Sequence, residues 1–126
     1  MIEKRILIID DEEAIQIVVQ VGLKMTAGWD VMTASSGSEG LARAQTEQPD
    51  MILLDVMMPE MDGLATFRAL QQQDETRSIP VIFLTAKAQA SEKRLFNDTG
   101  VNGVITKPFN ALDLAEQICK VLDWAA

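Results

Sequence analysis

The chain has 126 residues, 48% of them hydrophobic, which is typical of one globular domain with a substantial core. Its apolar runs are far shorter than the roughly 20 residues of a membrane span, and its first residues lack the layout of a signal peptide. A single cysteine excludes an internal disulfide and suits a reducing compartment, so we expect a cytoplasmic protein. The absence of histidine excludes histidine metal ligands and histidine-based catalysis within this chain.

The net charge of −8 is concentrated in the first half of the chain. Residues 1–63 contain 12 acidic and 4 basic side chains, whereas residues 64–126 contain 7 of each. No basic patch with interleaved aromatic residues is present, which argues against direct binding of nucleic acid.

Five strand-like segments alternate with five helical patterns along the chain. The strand segments are 5–9, 29–34, 51–54, 80–84 and 103–106. Four of them are almost entirely apolar, as expected of strands covered on both faces, whereas 29–34 is weaker and is typical of an edge strand. The alternation predicts parallel strands with right-handed crossovers, and hence a single three-layer α/β/α domain over residues 1–126.

The first helical pattern carries two apolar lines. The line that we expect to face the core consists of Ile15, Val18, Val19, Gly22 and Leu23. A second line, Ile17, Val21 and Met25, lies beside it. It could widen the buried face, or it could be a docking surface for a helix of a partner protein.

The other helices are marked by shorter patterns. Ser36 or Ser38 can cap the second, and a turn at Asp62-Gly63 opens the third. The third is marked by Leu64, Phe67 and Leu70, and the fourth only by Leu95 and Phe96. The fifth should start just after Pro108, and its apolar residues are Leu114, Ile118, Val121 and Leu122. With so few apolar residues, the fourth helix should be weakly anchored.

Polar residues stand where four of the predicted strands end. They are Asp10 and Asp11, Asp55, Thr85, and Lys107. Because the carboxyl ends of parallel strands form one ligand-binding edge, these side chains should converge on an acidic pocket with a cation beside it. Repulsion among the carboxylates favours a hard divalent ion, Mg²⁺ first with Mn²⁺ as an alternative, and the lack of histidine disfavours Zn²⁺.

This set of groups is suited to phosphoryl transfer. An aspartate near Mg²⁺ can act as the nucleophile and form an acyl phosphate. Lys107 would then pair with the phosphoryl oxygens, and Thr85 would donate a hydrogen bond to one of them. Taken singly, Asp10-Asp11 and Thr85 could instead cap helices, and Lys107 could be a solvated surface lysine. Their occurrence together favours the site.

These motifs resemble the receiver domains of two-component response regulators over essentially the whole chain. The matching motifs are DD at 10–11, DVMMPEMDG at 55–63, TA at 85–86 and KPF at 107–109. The resemblance implies a flavodoxin-like (βα)5 fold, like that of chemotaxis regulators, with strand order 2-1-3-4-5.

The resemblance also assigns roles to individual residues. It implies that Asp55 is the phosphoacceptor, that Asp11, Asp55 and the main-chain carbonyl of Met57 hold Mg²⁺, and that Asp10 acts mainly through water. It implies a cis peptide bond between Lys107 and Pro108, which is plausible before proline.

Two positions depart from the family. Val104 stands where receiver domains usually have Tyr or Phe, and a valine has no ring to rotate inward, so the resemblance does not extend to the aromatic switch. Val101-Asn102-Gly103 replaces the acidic pair often found in DNA-binding regulators. We therefore expect a monomer or weak dimer rather than the symmetric dimer typical of those proteins.

The predicted function is that of a phosphoacceptor in two-component signalling or a phosphorelay. A histidine kinase or histidine phosphotransfer protein would supply the phosphoryl group, and the output would pass through contacts with another protein. The domain would promote its own phosphorylation and dephosphorylation without being an enzyme on external substrates. One alternative is an unphosphorylated structural or pseudo-receiver module. A less favoured one is an aspartate-nucleophile phosphatase, which would need an aspartate where Met57 stands.

Overall fold

The structure is a computed structural model that describes residues 3–57, 63–86 and 99–124. Within these ranges it contains five strands and four helices. In chain order they are β1 Arg5–Ile9, α1 Glu13–Ala27, β2 Asp30–Ala34, α2 Gly37–Glu47, β3 Met51–Asp55, α3 Gly63–Gln72, β4 Val81–Thr85, β5 Gly103–Thr106 and α4 Leu114–Leu122. Leu95 and Phe96 of the predicted fourth helix lie outside the described residues, so α4 is the helix predicted as the fifth. None of the described helices is long and apolar enough to cross a membrane.

The five strands form one parallel sheet in the order β2-β1-β3-β4-β5, which confirms the predicted architecture. The register pairs Ile9 with Leu54 and Asp55 with Leu84, so the carboxyl ends of β1, β3 and β4 lie side by side. As predicted, β2 is an edge strand. The expectation that β5 is covered on both faces is wrong: only Ile105 is buried, because β5 forms the other edge of the sheet.

The sheet separates two hydrophobic clusters, which gives the three layers. One cluster includes Ile8 and Leu53 of the sheet and lies under α1 and α4, which pack beside each other. The other includes Leu54 and Phe83 and lies under α2 and α3, which also pack beside each other. Each fully buried aliphatic side chain contributes about 1.5–3 kcal/mol through the hydrophobic effect, so the two clusters hold the strand ends firmly in place.

Helix α1 differs from its predicted burial. Val19, Gly22 and Leu23 are buried and Ile15 is half-buried, but Val18 is 42% exposed, so its assignment to the core is wrong. The second line is solvent-facing throughout, with Ile17 and Val21 each 51% and Met25 73% exposed. The interpretation of that line as a wider buried face is therefore also wrong, since the sheet and α4 cover only one side of the helix.

The start of α4 also differs from the prediction. The helix begins at Leu114 rather than just after Pro108. Asn110 accepts hydrogen bonds from two downstream amides, from Leu112 to its side chain at 2.9 Å and from Asp113 to its carbonyl at 3.0 Å. These bonds form a turn that delays the helix, as asparagine commonly does.

Candidate metal and phosphoryl site

Asp10 follows β1 directly and is fully buried. Its amide donates to the Ala34 carbonyl at 3.0 Å, which extends the pairing of β1 with β2 by one residue. Its Oδ1 accepts a hydrogen bond from the amide of Glu12 at 2.9 Å. Glu12, not Asp10 or Asp11, occupies the capping position of α1, so helix capping does not account for the acidic pair.

Asp55 is the last residue of β3 and is also buried. Its Oδ1 accepts a hydrogen bond from the amide of Met57 at 3.0 Å, which turns the chain away from the sheet. Gly63 opens α3 against this strand end: a Cβ there would lie 2.5 Å from the Asp55 carbonyl oxygen and 2.6 Å from Val56 Cα. Only glycine therefore allows α3 to start so close to Asp55.

Three carboxylates lie together at this edge of the sheet. Oxygen atoms from Asp10, Asp11 and Asp55 all fall within 4.8 Å of one another, in the arrangement expected from the strand ends. Asp10 and Asp55 are buried, whereas Asp11 is exposed. The cluster is thus open to solvent on the side of Asp11.

Lys107 brings a positive charge to the cluster from the end of β5. Its Nζ lies 3.0 Å from Asp10 Oδ2 and 3.6 Å from Asp55 Oδ1, and its side chain is only 15% exposed. Its amide donates to the Thr85 carbonyl at 2.7 Å, and its peptide bond to Pro108 is cis. Burial lowers the pKa of Lys107, but the hydrogen bond and charge of Asp10 and the charge of Asp55 outweigh it and raise that pKa, so the ammonium stays charged.

The environment raises the pKa of Asp55 to about 6. Burial is the largest cause, and the charges of Asp10 and Asp11 act in the same direction. The hydrogen bond from Met57 and the charge of Lys107 oppose them without prevailing. Ionised Asp55 is therefore disfavoured in this pocket, and a further positive charge would stabilise it.

The residues present fit a hard divalent cation. Their donor atoms are carboxylate oxygens from three side chains. A bound cation would offset the burial of Asp55 and the charges of Asp10 and Asp11, which together raise the pKa of Asp55. Mg²⁺ is commonly held by one or two carboxylates together with water and phosphate oxygens. Met57 follows Asp55 at the same edge, so its main chain is near enough to the cluster to be a candidate ligand.

Thr85 and Val104 are placed by the neighbouring strands. Thr85 ends β4, is fully buried, and stands one residue beyond the Leu84 that pairs with Asp55. Val104 pairs with Phe83 and packs half-buried against the cluster that contains the edge-to-face ring pair Phe67–Phe83. A small aliphatic residue thus occupies the position next to β4 where receiver domains usually have a ring.

Met58 to Asp62, which belong to the predicted block after Asp55, lie outside the described residues. Sequence reasoning also missed one residue of the site. Gln16 of α1 is buried and its side-chain amide donates to the carbonyl of Asp10 at 2.7 Å. The sequence signal for its burial was its spacing: Gln16 lies three positions before Val19 and seven before Leu23, so it shares their core-facing side of the helix.

Comparisons with known proteins agree on one family. The family described as "Response regulator receiver domain" matches residues 6–119. The chain is 40% identical over 119 residues to the alkaline phosphatase synthesis transcriptional regulatory protein PhoP of Bacillus subtilis, covering 94% of this chain and 48% of that protein. It is 43% identical over 117 residues to the DNA-binding dual master transcriptional regulator RpaA of Synechocystis, covering 93% and 47%.

A solved structure agrees with the same family. The chemotaxis response regulator CheY4 of Vibrio cholerae superposes with a TM-score of 0.87 at 32% identity, covering 95% of this chain and 99% of that one. The chain spans about half the length of the two transcriptional regulators.

Proposed function

Since the chain belongs to the response regulator receiver domains, we propose that it accepts a phosphoryl group on Asp55 in a reaction that depends on Mg²⁺. The observation that carries this proposal is the gathering of Asp10, Asp11 and Asp55 around one point with Lys107 Nζ within 3.6 Å of Asp55. The relatives PhoP and RpaA are regulators, which agrees with a signalling role rather than turnover of an external substrate.

The chemical step follows from the groups at the sheet edge. An oxygen of ionised Asp55 attacks the phosphorus of a phosphohistidine on the donor protein, and the P–N bond breaks as the P–O bond forms. The electron pair of the broken bond stays on the departing imidazole nitrogen, and the product is an acyl phosphate on Asp55. Lys107 pairs with one phosphoryl oxygen, and the Thr85 hydroxyl donates to another. Mg²⁺, held by Asp11, Asp55 and the Met57 carbonyl with Asp10 acting through water, would supply charge neutralisation at the phosphoryl oxygens.

The donor would be a histidine kinase or a histidine phosphotransfer protein that docks on α1. Ile17, Val21 and Met25 form an exposed apolar line at i, i+4 and i+8 spacing, which suits packing against a helix of a partner. The line lies on α1, and the first turn of α1 directly follows Asp10 and Asp11. A partner bound along the line would therefore lie near Asp55.

Output would pass through contacts with another protein or another domain, not through nucleic acid bound by this segment. The acidic excess in residues 1–63 would repel a phosphate backbone. The relative RpaA is described as DNA-binding, and it is about twice as long as the matched segment. With Val104 in place of an aromatic residue, phosphorylation would be signalled by rearrangement around Thr85 without a rotating ring.

Intact-mass analysis after incubation with acetyl phosphate tests this proposal. The wild type should gain one phosphoryl group when Mg²⁺ is present and none when it is chelated. Asp55→Asn should gain none under either condition. Asp74→Asn, which changes an aspartate in the turn after α3 whose side chain is 90% exposed, should behave as the wild type. Failure of the folded wild type to gain mass at saturating Mg²⁺ would instead favour an inert interaction module.

A further inference from the structure

Gln16 joins three segments of the chain beneath the acidic site. It is the fourth residue of α1 and is 7% exposed. Its Nε2 donates to the Asp10 carbonyl at 2.7 Å and to the Ser35 hydroxyl at 3.1 Å, with the Ala34 carbonyl at 3.4 Å. One side chain thus ties α1 both to the end of β1 and to the loop that follows β2.

The chemistry of these partners fixes which end of the side chain faces them. Two of the three partners are carbonyl oxygens, which can only accept hydrogen bonds, so they require the amide nitrogen. A carboxylate or a thioether at this position has no hydrogen to donate at neutral pH. The role is therefore specific to a donor of this length, although the position itself lies on the core-facing side of α1.

Each of the four polar atoms of Asp10 has a bonding partner. Its amide binds Ala34, its Oδ1 accepts from Glu12, its Oδ2 binds Lys107 and its carbonyl accepts from Gln16. At Asp10, the side chain of Gln16 binds only the main chain, and none of its described hydrogen bonds involves a carboxylate of the cluster. Removing this bond would release the Asp10 carbonyl without changing the charge of the site.

We propose that Gln16 is a positioning residue that holds Asp10 in register with Asp11 and Asp55 for binding of a divalent cation. The inference rests on the proposed function for the identity of the ion, and it concerns the affinity of the site rather than the chemical step. Outer partners of metal-binding groups commonly act in this way, by fixing the orientation of the groups nearest the ion.

The test is a titration with Mn²⁺, followed through the electron paramagnetic resonance signal of the free ion. Gln16→Met keeps the side-chain length and removes the donor. The matched control is Gln20→Met, one turn further along α1, which removes a similar bond from Gln20 Nε2 to the Val31 carbonyl at 3.3 Å. Gln16→Met should raise the Mn²⁺ dissociation constant roughly tenfold. Gln20→Met should leave it within about twofold of the wild type, as a change away from the site does.

Each outcome decides the question. Unchanged Mn²⁺ affinity in Gln16→Met, or an equal loss in Gln20→Met, would overturn the inference, since general loosening of α1 would then explain the effect. If Gln16→Met does not fold, Gln16→Asn takes its place, because its side chain is one methylene shorter and its amide falls short of the Asp10 carbonyl. Its Mn²⁺ affinity is then compared in the same way with those of the wild type and Gln20→Met. A wild type that binds no Mn²⁺ would overturn both the metal site and this role. A wild type that binds Mn²⁺ but gains no phosphoryl group would refute the proposed function alone.

Discussion

Opposing effects act on the charge of Asp55 at the sheet edge. Burial and the neighbouring carboxylates disfavour the ionised form, whereas the Met57 amide and Lys107 favour it. Burial and the neighbouring carboxylates prevail, and they raise its pKa from 3.8 to about 6. The folded protein therefore holds a proton on Asp55 at pH values where the unfolded chain has released it. Without a divalent cation, stability should fall as the pH rises from about 4 to about 6, because the native state binds more protons in that window.

This leads to a prediction for Asp55→Asn in the presence of a chelator. At pH 7 the variant should be more stable than the wild type by about 3 kcal/mol, because its neutral amide avoids the cost of a buried charge. The gain should disappear below about pH 4, where Asp55 is protonated in both states. Urea unfolding at a series of pH values measures this difference, and a gain that is constant across the series would rule out the buried charge as its cause. Saturating Mg²⁺ should reduce the gain at pH 7 by stabilising the wild type.

Lys107 is the one described basic side chain that forms ion pairs within this cluster. Lys107→Met should destabilise the protein by about 3 kcal/mol, because it leaves the fully buried Asp10 carboxylate without its partner. Lys24→Met is the matched control, since it removes an ion pair of similar length, 2.9 Å to Asp30, between side chains that are each about 60% exposed. Urea unfolding at pH 7 should show a clear loss for Lys107→Met and no measurable loss for Lys24→Met. Equal losses would mean that burial does not set the strength of the Lys107 pair.

At the scale of elements, α1 separates two roles on its two sides. Its inner side packs on the sheet and α4, and it carries the bond from Gln16 to the acidic site. Its outer side presents Ile17, Val21 and Met25 to solvent. A change on the outer side should therefore alter recognition of a partner without altering the chemistry at Asp55.

Val21→Lys tests that separation. It should slow phosphotransfer from a phosphohistidine protein roughly tenfold, because it places a charge in the apolar line that the partner would cover. Phosphorylation by acetyl phosphate should proceed at the wild-type rate. Gln71→Lys, which adds the same charge at an exposed position of α3, should affect neither reaction. If Val21→Lys slows both reactions equally, the line is not a docking surface.

The start of α3 is bound closely to the end of β3. A Cβ at Gly63 would meet main-chain atoms of Asp55 and Val56, which cannot move aside as a flexible side chain could. Gly63→Ala should therefore destabilise the fold by about 1–3 kcal/mol and also weaken Mn²⁺ binding by displacing Asp55. Unfolding and Mn²⁺ titration measure the two effects, and a variant with both values unchanged would show that α3 shifts freely.

At the scale of the whole molecule, the sequence predicted the strands and the converging site well because both depend on local signals. Each predicted strand matches the structure to within a residue, since short apolar runs end at Asp10, Asp55, Thr85 and Lys107. The strand order came from the family resemblance, because strand pairing is a non-local property that apolar runs do not encode.

The errors have physical causes of the same kind. Val18 was misassigned because helical spacing identifies a broad face but not its limits. Gln16 was missed because burial of a glutamine can be predicted only when the carbonyls opposite it are known. The exposure of β5 follows from its place at the sheet edge. The start of α4 depends on hydrogen bonds to Asn110 that a search for apolar spacing does not reveal.

The most direct test of the proposed role of Asp55 is to trap the modified residue chemically. The protein would be incubated with acetyl phosphate and Mg²⁺, reduced with borohydride, which converts an aspartyl phosphate to homoserine, and digested for peptide mass mapping. We expect homoserine at position 55 and unmodified aspartate at positions 10 and 11, with no conversion when Mg²⁺ is chelated. Conversion at another aspartate, or none in folded protein with Mg²⁺ bound, would contradict the assignment of Asp55 as the phosphoacceptor.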